Sequence, residues 1–274
     1  MAICVAVQVD DCLVFAADSA VASSPGTAPN GAQTANVLRP DRRVFNLHRD
    51  LPISAMTCGL ANIGPDSIAS LAKDLRLLLT GRNKQYRLDP ANYTIEEVAA
   101  KARKFLFEEK FTALPEKPKA EMSFYIGGYS SGASQPERWL VKIQGEANAC
   151  PAPECLGKAT GLSWSGEPDA IFRLVMGIGL NHRAALLEAG LSQEQARGAS
   201  TTLLKQLRVP FLQRALSVQD AVDFADFLVE TTKHFVRFLR GVDTDGTETD
   251  IAVVTKREGI KLIRRKHYFT TSPL

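Results

Sequence analysis

Two apolar runs at the start of the chain, residues 2–9 and 13–18, flank Asp10-Asp11, and both alternate with a period of two. In AICVAVQV, Ile3, Val5, Val7 and Val9 are large and apolar, whereas Ala2, Cys4, Ala6 and Gln8 are small or polar. That alternation is the pattern of a strand with one core face. In the second run Leu13, Phe15 and Ala17 share one face, and Val14, Ala16 and Asp18 share the other. Matching large face to large face calls for a three-residue loop, Asp10-Asp11-Cys12, which sets Val9 opposite Leu13 and Cys4 opposite Asp18. An acid that ends a strand often bonds backbone amides in the following turn, and Asp18 is placed for that. No basic stretch precedes the first run and two acids interrupt it after eight residues, so the sequence predicts neither a signal peptide nor a membrane span.

The polar stretch 23–36 reads as a loop, followed by strands near 43–47 and 53–58. Two helices are expected next. One covers 66–79 and is capped by Asp66 or Ser67; the other covers 94–111, opens on a Thr94–Glu97 capping box and is stopped by Pro115 and Pro118. Strands resume at EMSFYIGGY and ERWLVKIQ, with a weaker one over 156–162. Helices are then expected over 169–187, from the Ser192–Gln195 box, and from Ser217 to Gly241. The last of these takes Val222, Phe224, Phe227, Leu228, Phe235 and Phe238 as its core face. DIAVVT and IKLI close the order as strands. Blocks of hairpins separated by helix pairs favour an α+β fold, a four-layer α-β-β-α sandwich of two antiparallel sheets between helix layers. One domain, 1–274, is expected, with 264–274 as a C-terminal tail.

The balance of charge, net +3 from 33 basic and 30 acidic residues, gives no sign of a nucleic-acid or membrane partner. Arg264-Arg265-Lys266-His267 reads as a solvated tail. The cysteine count is odd, and Cys4, Cys12 and Cys58 sit in apolar runs, which favours a reducing, cytoplasmic compartment. Cys150 and Cys155 form one C-x4-C pair with no second pair, and no His completes a zinc set. The acids of GVDTDGTETD do not follow EF-hand spacing, so neither metal nor cofactor is expected. Without a G-x-S-x-G elbow, and with His182 and His234 in helical surroundings, a conventional serine hydrolase is excluded.

LVFAADS, RRVFNL, TCGLA, SGEPDAIFRLVMG and TDIAVVTKREG, taken in that order, resemble the proteasome β-type subunits of the N-terminal nucleophile (Ntn) hydrolase superfamily. MAICVAV and LVFAADS are most similar to the bacterial Anbu branch. The resemblance implies a threonine-type peptidase that cleaves peptide bonds through an acyl-enzyme, using the hydroxyl of an amino-terminal Thr and its free α-amine as base. It also implies assembly into a homo-oligomer. By the same resemblance Asp18 takes the place of the orienting acid, Arg43 that of a Lys, Gly59 that of the oxyanion donor and Ser165 that of a supporting Ser in a later loop.

Two departures bear on activity. Ala2 occupies the nucleophile position with a methyl group that cannot attack, and Arg43 cannot exchange a proton near neutrality as a Lys can. The chain as written is therefore expected to be inert. Its alternatives are a non-catalytic structural or binding ring subunit, or a hydrolase that uses Cys4, on the same strand face as Ala2, after amino-terminal processing.

Overall fold

The computed structural model describes residues 3–18, 42–146, 148–240 and 249–264, together with the backbone of 21–22, 26–27, 33–34 and 37–38. Its main strands are β1 (Ile3–Gln8), β2 (Cys12–Asp18), β3 (Val44–Asn46), β4 (Ile53–Gly59) and β5 (Met122–Gly128), then β6 (Glu137–Ile143), β7 (Glu154–Gly157), β8 (Gly161–Gly166), β9 (Thr249–Thr255) and β10 (Gly259–Arg264). Among the described residues these form two five-stranded antiparallel sheets, in the orders β8-β1-β2-β9-β10 and β7-β6-β5-β4-β3. The helices are α1 (Ile68–Thr80), α2 (Ile95–Arg103), α3 (Asp169–Met176), α4 (His182–Glu188), α5 (Gln193–Gln206) and α6 (Val218–Arg240). Lys104–Phe111 continue α2 as a π-helix. The fold is mixed α+β with antiparallel sheets, as the block order predicts.

Three apolar clusters hold it together. Ile3, Val5 and Val7 join Val14 and Ala16 against Ile171 of α3 and Leu228 of α6. Phe45, Ala55, Phe124 and Val141 of the second sheet pack against Leu71 and Leu75 of α1 and Val98 of α2. Between the sheets lie Cys4, Ala6, Leu13 and Phe15, against Met56, Cys58 and Tyr125. A fully buried Leu13 or Phe15 contributes about 2 kcal/mol.

The opening hairpin differs from expectation by one residue. Val9 N–H donates to the Cys12 carbonyl (3.0 Å), so the loop is the pair Asp10-Asp11, and Gln8 pairs with Leu13 and Cys4 with Ala17. The reason is that both faces of this hairpin are buried, so matching large residues to large ones does not select the register. Cys4 therefore does not face Asp18.

Ser67 caps α1 by accepting from Ser70 N–H (3.1 Å), Thr94 caps α2 by accepting from Glu97 N–H (3.1 Å), and the Ser192–Gln195 box is complete. The helix expected over 169–187 breaks into α3 and α4 at Gly177, whose positive φ of 72° suits glycine. The weak strand over 156–162 is instead two strands, β7 and β8, one in each sheet. Within the stretch read as a loop, the backbone of Gly26–Thr27 pairs with Gln33–Thr34. The core face of α6 is Ala221, Val222, Ala225, Leu228, Val229 and Val236, while Phe227 and Phe238 are exposed. Arg264, expected to begin the tail, ends β10 and pairs with Asp226 through both Nη atoms (2.8 and 3.0 Å). Residues 265–274 and the acids Asp243, Asp245 and Glu248 lie outside the described residues.

Candidate functional site

Antiparallel pairing puts Cys4 of β1 opposite Ser165 of β8, and sheet-to-sheet packing brings the end of β4 over both. The Cys4 thiol donates to the Thr57 carbonyl (3.0 Å), and the Cys58 sulfur lies beside it. Burial is the main force pushing the Cys4 thiol well above its ordinary pKa. Cys58 shifts the opposite way: its polar contact with Cys4, then the Arg43 guanidinium and Gly59 N–H, outweigh its burial and lower its pKa. Tyr125, reaching in from β5, hydrogen-bonds Ser165 Oγ, and burial pushes its hydroxyl up to about 12.

Arg43 enters just ahead of β3. Its N–H donates to Asp250 Oδ2 (3.3 Å) and its carbonyl accepts from Thr57 N–H (2.9 Å), so its backbone is fixed to β9 and β4. The residue is only 2% exposed, yet among the described residues guanidinium Nε and Nη2 find no acceptor, and Thr57 Oγ1 nearby has no partner either. Buried donors left unmet cost on the order of 1–3 kcal/mol each, so this arrangement suits a polar or anionic occupant.

Of the site residues named from sequence, Arg43, Gly59 and Ser165 gather around the Cys4–Cys58 pair, with Ser165 in a strand and not in a loop. Asp18 ends β2, is buried and acts electrostatically on Cys4, but by alternation it is in phase with Val14 and Ala16, on the helix side of its sheet. Its register partner is Thr249, which donates to Glu230 Oε1 (2.7 Å); Lys233 Nζ donates to the same oxygen (2.8 Å). Ala2 lies outside the described residues. Sequence reading missed Cys58, Tyr125 and the Glu230–Lys233–Thr249 group. The adjacency of Cys58 to Gly59 and the i, i+3 spacing of Glu230 and Lys233 offered a signal, whereas Tyr125 and Thr249 arrive across long sequence separations.

A second buried polar group lies farther along the same two strands, β1 and β8. Arg138 Nε donates to Gln8 Oε1 (2.7 Å), Arg138 Nη1 donates to Ser163 Oγ (2.9 Å), and Gln8 Nε2 donates to the Pro136 carbonyl (2.7 Å). Burial lowers the Arg138 pKa to about 10. Elsewhere, His182 bridges the Gly179 carbonyl (2.8 Å) and Ser200 Oγ (2.6 Å), a structural link between α4 and α5. Among the described residues there is no group of three or more His, Cys, Asp or Glu able to hold a metal ion, and no helix is long and apolar enough to cross a membrane.

No family model matches the chain, and no curated protein does. Among solved structures it is similar to the helical assembly of the Anbu complex from Pseudomonas aeruginosa, at 15% identity over 98% of this chain and 88% of that one, with a TM-score of 0.50. The fold is proteasome-like. At that identity the likeness speaks to the fold alone.

Proposed function

We propose that this chain is a proteasome-like protein of the four-layer Ntn-hydrolase sandwich, a single domain of 1–274, that keeps the family's active-site surroundings without a working nucleophile. The observation that carries the reading is the convergence of Arg43, Gly59 and Ser165 on the amino-terminal strand at Cys4. The three apolar clusters, helix on sheet, sheet on sheet and sheet on helix, support the four-layer arrangement. Ala2 has no group that attacks a carbonyl, and a guanidinium in place of an ammonium holds charge without moving protons. Self-association is part of the proposal: the Anbu neighbour is a helical assembly, and this chain exposes apolar side chains on α6 and β10.

Cys4 is poorly suited to replace the missing nucleophile. It is fully buried, and its thiol is held protonated well above the ordinary range, the reverse of what an attacking thiolate needs.

The test pairs a panel of fluorogenic peptides with intact-mass analysis after treatment with a peptide vinyl sulfone. The chain as written is expected to show neither turnover nor adduct, and Ala2→Thr is expected to gain measurable turnover. Peptide cleavage by the unaltered chain that disappears in Cys4→Ala or Cys58→Ala would sink the inert reading and make the protein a cysteine-dependent hydrolase.

A further inference from the structure

Cys4 of β1 and Cys58 of β4 come from different sheets and meet in the apolar cluster between them, with Met56 and Tyr125 as neighbours. The Cys4 thiol rests on the Thr57 carbonyl (3.0 Å), the peptide group that leads into Cys58, and the Cys58 sulfur lies beside it. Both are free thiols. Among the described residues β1 pairs with β8 and β2, and β4 with β5 and β3, so no strand ladder joins β1 to β4. The two sulfurs also stand in unlike surroundings. Cys4 is wholly buried, whereas Cys58, at 3% exposure, adjoins the exposed Gly59 and the Arg43 guanidinium, a setting that favours its thiolate.

We propose that Cys4 and Cys58 form a peroxide-oxidised pair that closes to a disulfide and staples β1 to β4. Hydrogen peroxide is the oxidant. The Cys58 thiolate attacks one peroxide oxygen and the O–O bond breaks; the departing hydroxide takes up the proton that Cys58 gave up, leaving a sulfenic acid and one water. The Cys4 sulfur loses its proton and attacks the Cys58 sulfur, the S–O bond breaks, and the hydroxide leaves with that proton as a second water. Two thiols are thereby oxidised to one disulfide and one peroxide is reduced to two waters. Burial selects the oxidant, because hydrogen peroxide is small and uncharged whereas glutathione disulfide is too bulky to reach sulfurs packed between two sheets. Closure fixes the amino-terminal strand to the strand that ends at Gly59. The inference stands on the placement of the pair, whether or not the chain cleaves peptides.

The test uses the full chain carrying Cys155→Ser, which lacks the exposed thiol and the intermolecular links it would form. The folded protein is treated with hydrogen peroxide, alkylated, and read by intact mass and by non-reducing peptide mapping. It is expected to lose two hydrogens, to yield one linked pair of peptides carrying Cys4 and Cys58, and to recover both thiols with dithiothreitol. When Cys4→Ala is added, the reaction should stop at the sulfenic acid of Cys58, where dimedone traps it. Three results would overturn the proposal: Cys4 and Cys58 staying reduced at a peroxide concentration that oxidises Cys155 in the parent chain, a link to Cys12 or Cys150 instead, or glutathione disulfide acting as fast as peroxide. Peptide turnover plays no part in the readout, so this test and that of the proposed function fail separately.

Discussion

His48 sits in the turn from β3 to β4, where its Nδ1 accepts from the backbone N–H groups of Asp50 and Leu51 (both 3.2 Å). A proton on that nitrogen would oppose two donors, and burial lowers the ring's pKa below the ordinary His value. The folded ring therefore binds its proton less readily than the unfolded one. Its contribution to stability is complete above about pH 6.5 and is lost as pH falls from there towards the folded pKa. His48→Asn retains an acceptor and removes the titration, so the drop in urea midpoint between pH 7.5 and 5.5 should be smaller in the variant than in the parent. Gln8 is a second residue with a large predicted effect. Gln8→Ala strips Arg138 Nε of its acceptor in a wholly buried setting, and should cost about 2–4 kcal/mol by urea denaturation. Gln8→Leu combined with Arg138→Met removes both polar partners and should recover much of that loss; a double variant no more stable than Gln8→Ala would show that the pair is not the source of the cost.

At the scale of elements, Gly59 decides how β4 ends. Its φ is +97°, and a Cβ there would lie 2.1 Å from the Glu121 carbonyl oxygen, a backbone atom that cannot move aside cheaply. Gly59→Ala should therefore cost about 2 kcal/mol or more, a fall of about 4–8 °C in Tm by calorimetry. A melting temperature equal to the parent's would mean that the strand end relaxes freely. Gly59 was legible in the sequence because a glycine must release the chain between a buried strand and a capped helix. The capping residues Ser67, Thr94 and Ser192 were legible for a similar reason, since their bonds reach only three residues ahead. The register of β1 against β2 was not, because a hairpin apolar on both faces satisfies two pairings equally until the second sheet and α6 are in place. Nor was the division of 154–166 between two sheets, which depends on which edge, β6 or β1, each half meets. The candidate site divides along the same line. Arg43, Gly59 and Ser165 came from short motifs, whereas Tyr125, Thr249 and Glu230 arrive by contacts that only the assembled sheets create.

At the scale of the whole molecule, what the two sheets leave uncovered bears on assembly. Phe238 is 83% exposed and Leu239 62% on α6, and Leu262 and Ile263 are about half exposed on β10, the edge strand of the first sheet. The Arg264–Asp226 pair ties β10 to α6. An edge strand carrying apolar residues invites pairing with another chain, and burying one Phe contributes about 1.5–3 kcal/mol. In a two-fold interface each substitution counts twice. Light scattering at micromolar concentration is therefore expected to find the parent chain as a dimer or larger. Phe238→Asp should weaken association by about a hundredfold or more, through lost apolar burial on both copies and two carboxylates brought close together. The exposed position of Phe238 means that the variant should retain the parent's thermal transition under conditions where both are monomeric. A parent chain that stays monomeric over the whole concentration range would remove self-association from the reading, while leaving the fold and the Cys4 cluster as they stand.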